Sequence, residues 1–235
     1  MNRAFEGLVV RRPPPSRRLA DYRLVAFDMD STLINIECID ELADFAGRKA
    51  EVAAITEAAM RGEIADFRAS LRRRVELLAG LPAAALERVL AERLRLNPGV
   101  ERFVAACRAA GLKTLLVSGG FTHFSEPVRQ RLGIDFARAC QLEIVDGRLS
   151  GRFVARPWGE IVDGAEKRRV LVELCELMGI EPLRAIAVGD GANDLPMMEA
   201  AGLSIAYHPK PAVAARAMVT VAEGGLDRAL ALFED

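Results

Sequence analysis

The chain has 235 residues, of which 51% are hydrophobic and 28% are charged, a composition typical of a globular protein with a sizeable core. Its 32 Lys and Arg and 33 Asp and Glu give a formal net charge of -1, which excludes a global field that would attract nucleic acid or an anionic membrane. With only two histidines and four scattered cysteines, the sequence excludes a zinc finger and argues against a His-rich metal site. Scattered cysteines are typical of reduced thiols in a cytoplasmic protein.

The first 20 residues are basic and contain the prolines Pro13 to Pro15, but they lack the continuous apolar region of a secretion signal. This composition predicts an extended, mobile tail over residues 1–20. The chain has no apolar run of the roughly 18 residues that a membrane span requires, so we expect no membrane insertion.

Three short apolar runs predict buried strands, and each of them ends in polar residues. They begin at Arg23, Lys113 and Arg184. Segments with helical periodicity alternate with these runs, which predicts an α/β fold with a Rossmann-like parallel sheet covered by helices. In such sheets ligands bind beyond the carboxyl ends of the strands, where the three polar clusters fall.

Two segments interrupt this alternation. Residues 36–95 contain several helical segments and no convincing strand, which predicts a helical cap inserted after the first strand of a core formed by residues 21–35 and 96–235. The segment from Gln141 to Ala155 predicts a β-hairpin, because the turn signals Asp146-Gly147 and Ser150-Gly151 separate short alternating stretches.

Four aspartates at two of the predicted strand ends indicate a cation site. Asp28 and Asp30 are two residues apart, so their side chains leave an extended strand end on the same face. Asp190 follows a second strand, and Asp194 lies one helical turn further on. Ligands that offer only oxygen suit Mg²⁺. Taken alone, the D-x-D pair is equally compatible with a helix cap or an Asx turn.

A phosphate group near these carboxylates would also need N–H donors and positive charge. Ser118 and Gly119 follow the strand that begins at Lys113, where backbone N–H groups and a hydroxyl can hold phosphate oxygens. Lys167 lies near the start of a helical run. The alternatives are a plain glycine turn for the first feature and a solvated charge for the second.

Four motifs in this order resemble those of the haloacid dehalogenase-type phosphatases, and within them the phosphoserine phosphatase family. The motifs are FDMDSTLINIECIDELA at Phe27–Ala43, VSGGF at Val117–Phe121, Lys167, and VGDGANDLPMM at Val188–Met198. The resemblance extends from about Arg23 to the C-terminus and implies the haloacid dehalogenase-like fold with a helical cap.

The resemblance also implies roles for the four aspartates. Asp28 would be the nucleophile that forms an aspartyl-phosphate, and Asp30 would protonate the leaving hydroxyl and then take a proton from water. Mg²⁺ would be held by Asp28, by Asp190 and by the backbone carbonyl of Asp30, with Asp194 supporting this set.

For the phosphoryl group, the resemblance implies binding by Ser118, Gly119 and Lys167. Asn193 would help to orient the phosphate or the attacking water.

Within the predicted insert, helical periodicity gives a separate indication of the substrate. Phe67, Leu71, Arg74 and Leu78 fall on one face at about 100° per residue, whereas Arg72 and Arg73 point away from it.

An inward arginine can pair with a carboxylate, although its head can also reach water beside an apolar stem. Glu37 can meet an ammonium group or simply begin a helix. In the family that the sequence resembles, the residues matching Glu37 and Arg74 bind the charged groups of the amino acid, and the residue matching Phe67 closes over it.

The resulting hypothesis is a Mg²⁺-dependent phosphatase that hydrolyses O-phospho-L-serine in serine biosynthesis. One alternative keeps the fold but changes the reaction, to phosphoryl transfer to homoserine or hydrolysis of another small phosphomonoester. Another is a non-catalytic sensor of a phosphorylated metabolite. We expect a small-molecule substrate and neither a nucleic-acid nor a membrane partner, and the sequence leaves a homodimer open.

Overall fold

The computed structural model describes residues 7–60 and 66–234. Residues 1–6 of the predicted tail and 61–65 of the predicted insert lie outside the described residues. The strands are β1 Leu8–Val10, β2 Leu24–Phe27, β3 Lys113–Phe121, β4 Phe136–Cys140, β5 Leu142–Val145, β6 Arg148–Phe153, β7 Ala185–Gly189, β8 Leu203–Tyr207 and β9 Val219–Val221. The α-helices are α1 Cys38–Phe45, α2 Lys49–Met60, α3 Phe67–Glu76, α4 Ala84–Arg88, α5 Val100–Ala109, α6 Thr122–Leu132, α7 Gly164–Leu177, α8 Leu195–Ala200 and α9 Pro211–Ala214.

A seven-stranded sheet forms the centre of the fold, in the order β1-β9-β8-β7-β2-β3-β4. Among the described strands of this sheet, β1 alone runs antiparallel to its neighbour, and every other pair is parallel. All residues of β2, β7 and β8 are buried, which requires cover on both faces of the sheet. The prediction of an α/β fold with a largely parallel sheet is therefore confirmed.

The course of the chain through the sheet determines where a ligand can bind. From β2 the chain moves outward through β3 to β4, and then returns on the other side of β2 through β7, β8 and β9. The direction of winding thus reverses between β2 and β7, which is where a crevice opens at the carboxyl ends of such strands. Asp28 follows β2 directly and Asp190 follows β7 directly.

The predicted insert is helical in its described residues, with α1 to α4 followed by a π-helical turn at Val89–Arg93. Hydrogen bonds join the two segments that connect the insert to the sheet. The Nδ2 of Asn97, on the C-terminal side of the insert, donates to the backbone oxygens of Thr32 and Ile34, on its N-terminal side, at 3.0 and 2.9 Å. None of the described helices combines the length and apolar character needed to cross a lipid bilayer.

Two local expectations differ from the structure. Leu8–Val10 is not a mobile tail but pairs with β9 at the edge of the sheet, because a short apolar run can complete an edge strand despite the basic, proline-rich sequence that follows it. In the hairpin of β5 and β6, Asp146 and Gly147 form the turn as expected, whereas Ser150-Gly151 lies inside β6. At Gly151 the strand passes close to the backbone of Glu76 in α3 with φ of +80°, which explains the glycine there.

Candidate active site

Lys167 lies between two of the predicted site aspartates. Asp163 caps the N-terminus of α7 by accepting a hydrogen bond from the backbone N–H of Glu166 at 2.8 Å, and Lys167 follows in the first turn. Its Nζ is 2.7 Å from the Oδ1 of Asp28 and 2.7 Å from the Oδ1 of Asp194. The Lys167 side chain has no exposed surface, so these ion pairs are shielded from water.

Burial and neighbouring charges both shift the pKa values of Asp28 and Lys167. Burial, followed by the negative charge of Asp194, raises the pKa of Asp28 well above its usual value, although Lys167 partly offsets this effect. Burial alone would lower the pKa of Lys167, but the charges of Asp194 and Asp28 outweigh burial and raise it. The ammonium therefore remains charged and neutralises part of a strongly acidic cluster.

Asp190 and Asp194 are held by the turn after β7. The Oδ2 of Asp194 accepts hydrogen bonds from the backbone N–H groups of Asp190 and Gly191 at 3.1 and 3.0 Å. The Asp194 carboxylate packs so closely against Gly189 that a Cβ atom at this glycine would collide with it. Thr32 Oγ1 donates to the Oδ1 of Asp190 at 3.3 Å, which connects the ends of β2 and β7.

The donor set of Asp28, Asp190 and Asp194 fits Mg²⁺. Each of the three side chains is buried, and each offers an oxygen atom that lies within 4.8 Å of the other two. The Oδ1 of Asp28 is buried and, apart from its ion-pair contact with Lys167, has no hydrogen-bond partner in the described part of the chain. Burial and the charge of Asp194 raise the pKa of Asp190 to about 6. A divalent cation would relieve this repulsion between buried carboxylates.

Asp30 is held by the first residue of α1. The backbone N–H of Cys38 donates to the Oδ2 of Asp30 at 3.1 Å, and the Cys38 thiol donates to the Oδ1 at 3.2 Å. Burial and the charge of Glu37 raise the pKa of Asp30 to about 7. A carboxyl group with this pKa can both give and take a proton near neutrality. Burial and the neighbouring Asp30 also raise the pKa of Cys38, so its thiol stays protonated.

Ser118, Gly119 and Gly120 lie at the end of β3, beside the aspartates. The backbone N–H of Gly120 donates to the Oγ of Ser118 at 2.9 Å. A Cβ atom at Gly120 would lie 3.1 Å from the Oδ1 of Asp30, and one at Gly119 would lie 3.4 Å from the Cζ of Phe67. The glycines thus leave space between Asp30 and the ring that α3 brings over this loop.

The predicted inward arginine of α3 carries an unpaired group. Arg72 and Arg73 are exposed, whereas Arg74 is partly buried, and its Nε is buried without a hydrogen-bond partner in the described residues. Burial lowers the pKa of Arg74, and the charges of Asp40 and Glu37 act against this shift. A buried guanidinium N–H without an acceptor indicates room for an anionic ligand group.

Glu37 is oriented by a neighbour in the turn after β2. The Oγ of Ser31 donates to the Oε1 of Glu37 at 2.7 Å. Ser31 has φ of 58°, in the left-handed region that residues other than glycine rarely adopt. Such backbone strain is concentrated at functional sites, where the surrounding structure maintains it.

The structure brings most of the predicted site residues together and adds three that the sequence pattern does not single out. Asn193 is partly exposed in the 3₁₀ turn Ala192–Asp194, next to Asp194. Within the described part of the chain, no hydrogen bond or ion pair joins Arg74 to the aspartates of the cation site. The additional residues are Ser31, Thr32 and Cys38, which orient Glu37, Asp190 and Asp30 respectively. All three lie in the motif at Phe27–Ala43, but the sequence does not indicate which side chains of that motif they contact.

The chain is similar to a known family of hydrolases. The family model of haloacid dehalogenase-like hydrolases matches residues 25–199. The chain is 63% identical to a phosphoserine phosphatase of a Polaromonas species, with 96% of each chain covered. It is 61% identical to a phosphoserine phosphatase of Albidiferax ferrireducens, with 97% of this chain and 96% of the relative covered.

Among solved structures, the fold is similar to that of a phospho-aspartyl intermediate analogue of phosphoserine phosphatase, with a TM-score of 0.82 and 36% sequence identity. That similarity covers 91% of this chain and 99% of the solved chain. Because the family model spans most of the sequence and the relatives align with nearly all of it, the chain belongs to the haloacid dehalogenase-like hydrolase family.

Proposed function

We propose that this protein is a phosphomonoesterase that hydrolyses O-phospho-L-serine to L-serine and phosphate through an aspartyl-phosphate on Asp28. The observation that carries the proposal is the buried contact between Lys167 and Asp28, with Asp30 nearby. A nucleophile (Asp28), a positively charged ammonium group (Lys167) and a proton donor (Asp30) meet there. The name of the Polaromonas and Albidiferax relatives supports the choice of substrate.

In the first step, an oxygen of Asp28 attacks phosphorus, and the bond from phosphorus to the seryl oxygen breaks. Asp30 gives its proton to that oxygen, which leaves as the hydroxyl group of serine. Lys167, the Ser118 hydroxyl and the backbone N–H of Gly119 hold the phosphoryl oxygens, whose negative charge is the main feature to stabilise.

In the second step, water attacks the phosphorus of the aspartyl-phosphate. Asp30, now ionised, takes a proton from this water, and the carboxylate of Asp28 is released with inorganic phosphate. Asn193 orients the water or the phosphate. The raised pKa of Asp30 supports this alternation between acid and base.

Asp28, Asp190 and the backbone carbonyl of Asp30 would hold Mg²⁺, and Asp194 would support them through its bonds to the turn after β7. When bound, this ion supplies positive charge that lets a phosphate dianion enter a cluster of carboxylates.

Arg74 and Glu37 would recognise the amino-acid part of the substrate. The buried Nε of Arg74, which has no hydrogen-bond partner among the described residues, suits the α-carboxylate. Glu37, which Ser31 orients, suits the α-ammonium. Phe67 would cover the bound substrate from α3, opposite Gly119.

We also infer that the protein works in a reducing compartment, the cytoplasm. All four cysteines are buried and free of disulfides, which is typical of proteins kept reduced.

Phosphate release by purified protein with Mg²⁺ tests the proposed function. We expect O-phospho-L-serine to be hydrolysed far faster than phosphothreonine or sugar phosphates, with L-serine as the product. Asp28→Asn keeps the size of the side chain but removes the nucleophile, so it is expected to abolish the reaction.

The same assay separates the alternatives. If phosphate transfer occurs only when homoserine is added, and O-phosphohomoserine forms, the protein is a phosphotransferase. Binding of phosphoserine without turnover by the wild type would identify a sensor. Hydrolysis that prefers another phosphomonoester would contradict the proposed substrate.

A further inference from the structure

We propose that Cys38 is a positioning residue that holds the carboxyl group of Asp30 in the orientation required for proton transfer. The inference rests on the proposed function, in which Asp30 acts first as an acid and then as a base. It adds a role for a residue that touches neither the phosphate nor the cation in that mechanism.

The contacts of Cys38 define both ends of the Asp30 carboxyl group. Its backbone N–H reaches Oδ2 at 3.1 Å and its thiol reaches Oδ1 at 3.2 Å. A carboxyl group held at one oxygen can still rotate about its last side-chain bond, which is a soft torsion. A second hydrogen bond from the same residue prevents this rotation, so the thiol fixes the direction of Oδ1.

The position of Cys38 in the fold makes it a rigid support. It is the first residue of α1, and its side chain has no exposed surface. Glu37, on its N-terminal side, is tied to Ser31 by a 2.7 Å hydrogen bond. Rotation of the Asp30 carboxyl group would therefore require movement of a buried helix terminus or the loss of the thiol contact.

The direction imposed on Oδ1 suits the reaction. A Cβ atom at Gly120 would lie 3.1 Å from this oxygen and 3.1 Å from the Oγ of Ser118, so Oδ1 faces the loop proposed to bind phosphate. The oxygen on that side is the one that can exchange a proton with the leaving group and then with water. Misalignment by a fraction of an ångström is enough to slow such a transfer.

Three variants test the role of the thiol. Cys38→Ala removes the thiol donor but retains the backbone N–H, and we expect kcat for phosphoserine to fall by about tenfold with KM changed less than about twofold, since general acid–base catalysis contributes ~10²–10⁴ and one of two contacts remains. Cys38→Ser restores a donor and is expected to recover kcat to within about threefold of the wild type. Cys107→Ala is the matched control, because Cys107 is equally buried but lies in α5.

The leaving group provides a second readout. Release of 4-nitrophenolate in the first turnover of 4-nitrophenyl phosphate needs little help from an acid, so Cys38→Ala should slow this step much less than it slows the cleavage of phosphoserine. Unfolding of each variant in urea verifies that a loss of rate is not a loss of fold.

The inference is overturned if Cys38→Ala retains the wild-type kcat, if Cys38→Ser is as slow as Cys38→Ala, or if Cys107→Ala loses as much activity. A wild type that prefers another alkyl phosphate would contradict the proposed substrate alone, since the Cys38 comparison would then be made with that compound. A folded wild type without any phosphatase activity would overturn both proposals.

Discussion

The Nζ of Lys167 and the Oδ1 of Asp28 lie 2.7 Å apart although the two residues are 139 positions apart in the chain, and at most 7% of either side chain is exposed. The same ammonium bonds Asp194, so one buried positive charge serves two carboxylates. The partial neutralisation keeps the pKa of Asp28 from rising further, which favours the ionised form that a nucleophile requires. We therefore expect Lys167 to contribute to folding in addition to its proposed role in phosphate binding.

Lys167→Met is expected to reduce both stability and activity. Two buried carboxylates lose their partner, which costs about 3–5 kcal/mol of unfolding free energy. The loss of a donor to the phosphoryl group should lower kcat/KM by at least about a hundredfold. Urea unfolding and steady-state kinetics measure the two effects, and added Mg²⁺ should restore part of the stability by supplying positive charge.

Arg168→Met is the control for this change, because Arg168 is the next residue of α7 and is exposed. Arg168→Met should change neither the unfolding free energy nor kcat/KM appreciably. A Lys167→Met variant within tenfold of the wild-type kcat/KM would contradict the role assigned to the ammonium.

Arg74→Ala is expected to remove the preference for a substrate with a carboxylate. Loss of a partly buried guanidinium–carboxylate pair costs ~2–3 kcal/mol, so kcat/KM for phosphoserine should fall about 30-fold to 150-fold. Activity on O-phosphoethanolamine, which has the ammonium but lacks the carboxylate, should change by less than about threefold. The comparison of the two substrates isolates the contact from any general effect on folding.

For this prediction the neighbouring exposed Arg73 provides the control. Arg73→Ala should leave the ratio of kcat/KM for phosphoserine to kcat/KM for O-phosphoethanolamine as it is in the wild type. An equal loss on both substrates in Arg74→Ala would mean that Arg74 supports α3 rather than binding the amino acid.

Two ion pairs join α3 to the loop before α7. The Nε and Nη2 of Arg72 donate to the Oε1 of Glu160 at 2.8 and 2.7 Å, and Arg68 pairs with Asp163. Phe67 precedes Arg68 in α3, and a Cβ atom at Gly119 would lie 3.4 Å from its ring, so we expect these contacts to hold the ring over the proposed phosphate loop. Partly exposed pairs contribute modestly, at about 0.2–1 kcal/mol.

Arg72→Ala should therefore raise KM for phosphoserine by up to about fivefold and leave kcat nearly unchanged. The charge exchange Arg72→Glu with Glu160→Arg should bring KM back toward the wild-type value. Arg152→Ala, which breaks an exposed pair with Glu143 inside the hairpin of β5 and β6, is the matched control. If the charge-exchange variant and Arg72→Ala raise KM equally, the ion pair of Arg72 with Glu160 does not hold α3 in place.

Sequence patterns predict the centre of this fold better than its edges. The buried strands β2, β3 and β7 are indicated because parallel strands covered on both faces are continuous apolar runs. The edge strand β1 is not indicated, since its three residues gain their structure only by pairing with β9, more than 200 residues away. Pairing over such a distance leaves no local periodicity.

The same distinction applies to the candidate site. Acidic residues at the strand ends are visible in the sequence because they terminate apolar runs. The contact of Cys38 with Asp30 is not visible in the sequence, because it depends on the residue at which α1 begins and on the left-handed turn at Ser31. Helix boundaries and rare backbone conformations are set by the surrounding packing, which a single sequence does not display.

Asp135 offers a stability prediction away from the site. Its Oδ2 accepts hydrogen bonds from the backbone N–H and the Oγ1 of Thr114 at 2.9 and 2.8 Å, and its Oδ1 pairs with Lys113 at 2.9 Å. Burial alone would raise the pKa of Asp135, but the bonds from Lys113 and Thr114 outweigh it and lower the pKa. The ionised carboxylate of Asp135 therefore links the start of β3 to the segment before β4 through these hydrogen bonds and this ion pair.

Asp135→Asn is expected to lower the unfolding free energy at neutral pH by about 1–2 kcal/mol, because hydrogen bonds to a charged acceptor are replaced by weaker ones. Since folding lowers the pKa of Asp135, its contribution is complete above the unfolded pKa of about 3.9 and is lost as pH falls through the lower folded value. The stability gap between wild type and variant should hence be constant from pH 7 to about pH 5 and shrink below about pH 4. Urea unfolding across this range measures the gap, with Asp146→Asn in the exposed hairpin turn as the control. A gap that persists undiminished in acid would show that the charge of Asp135 is not what stabilises this corner.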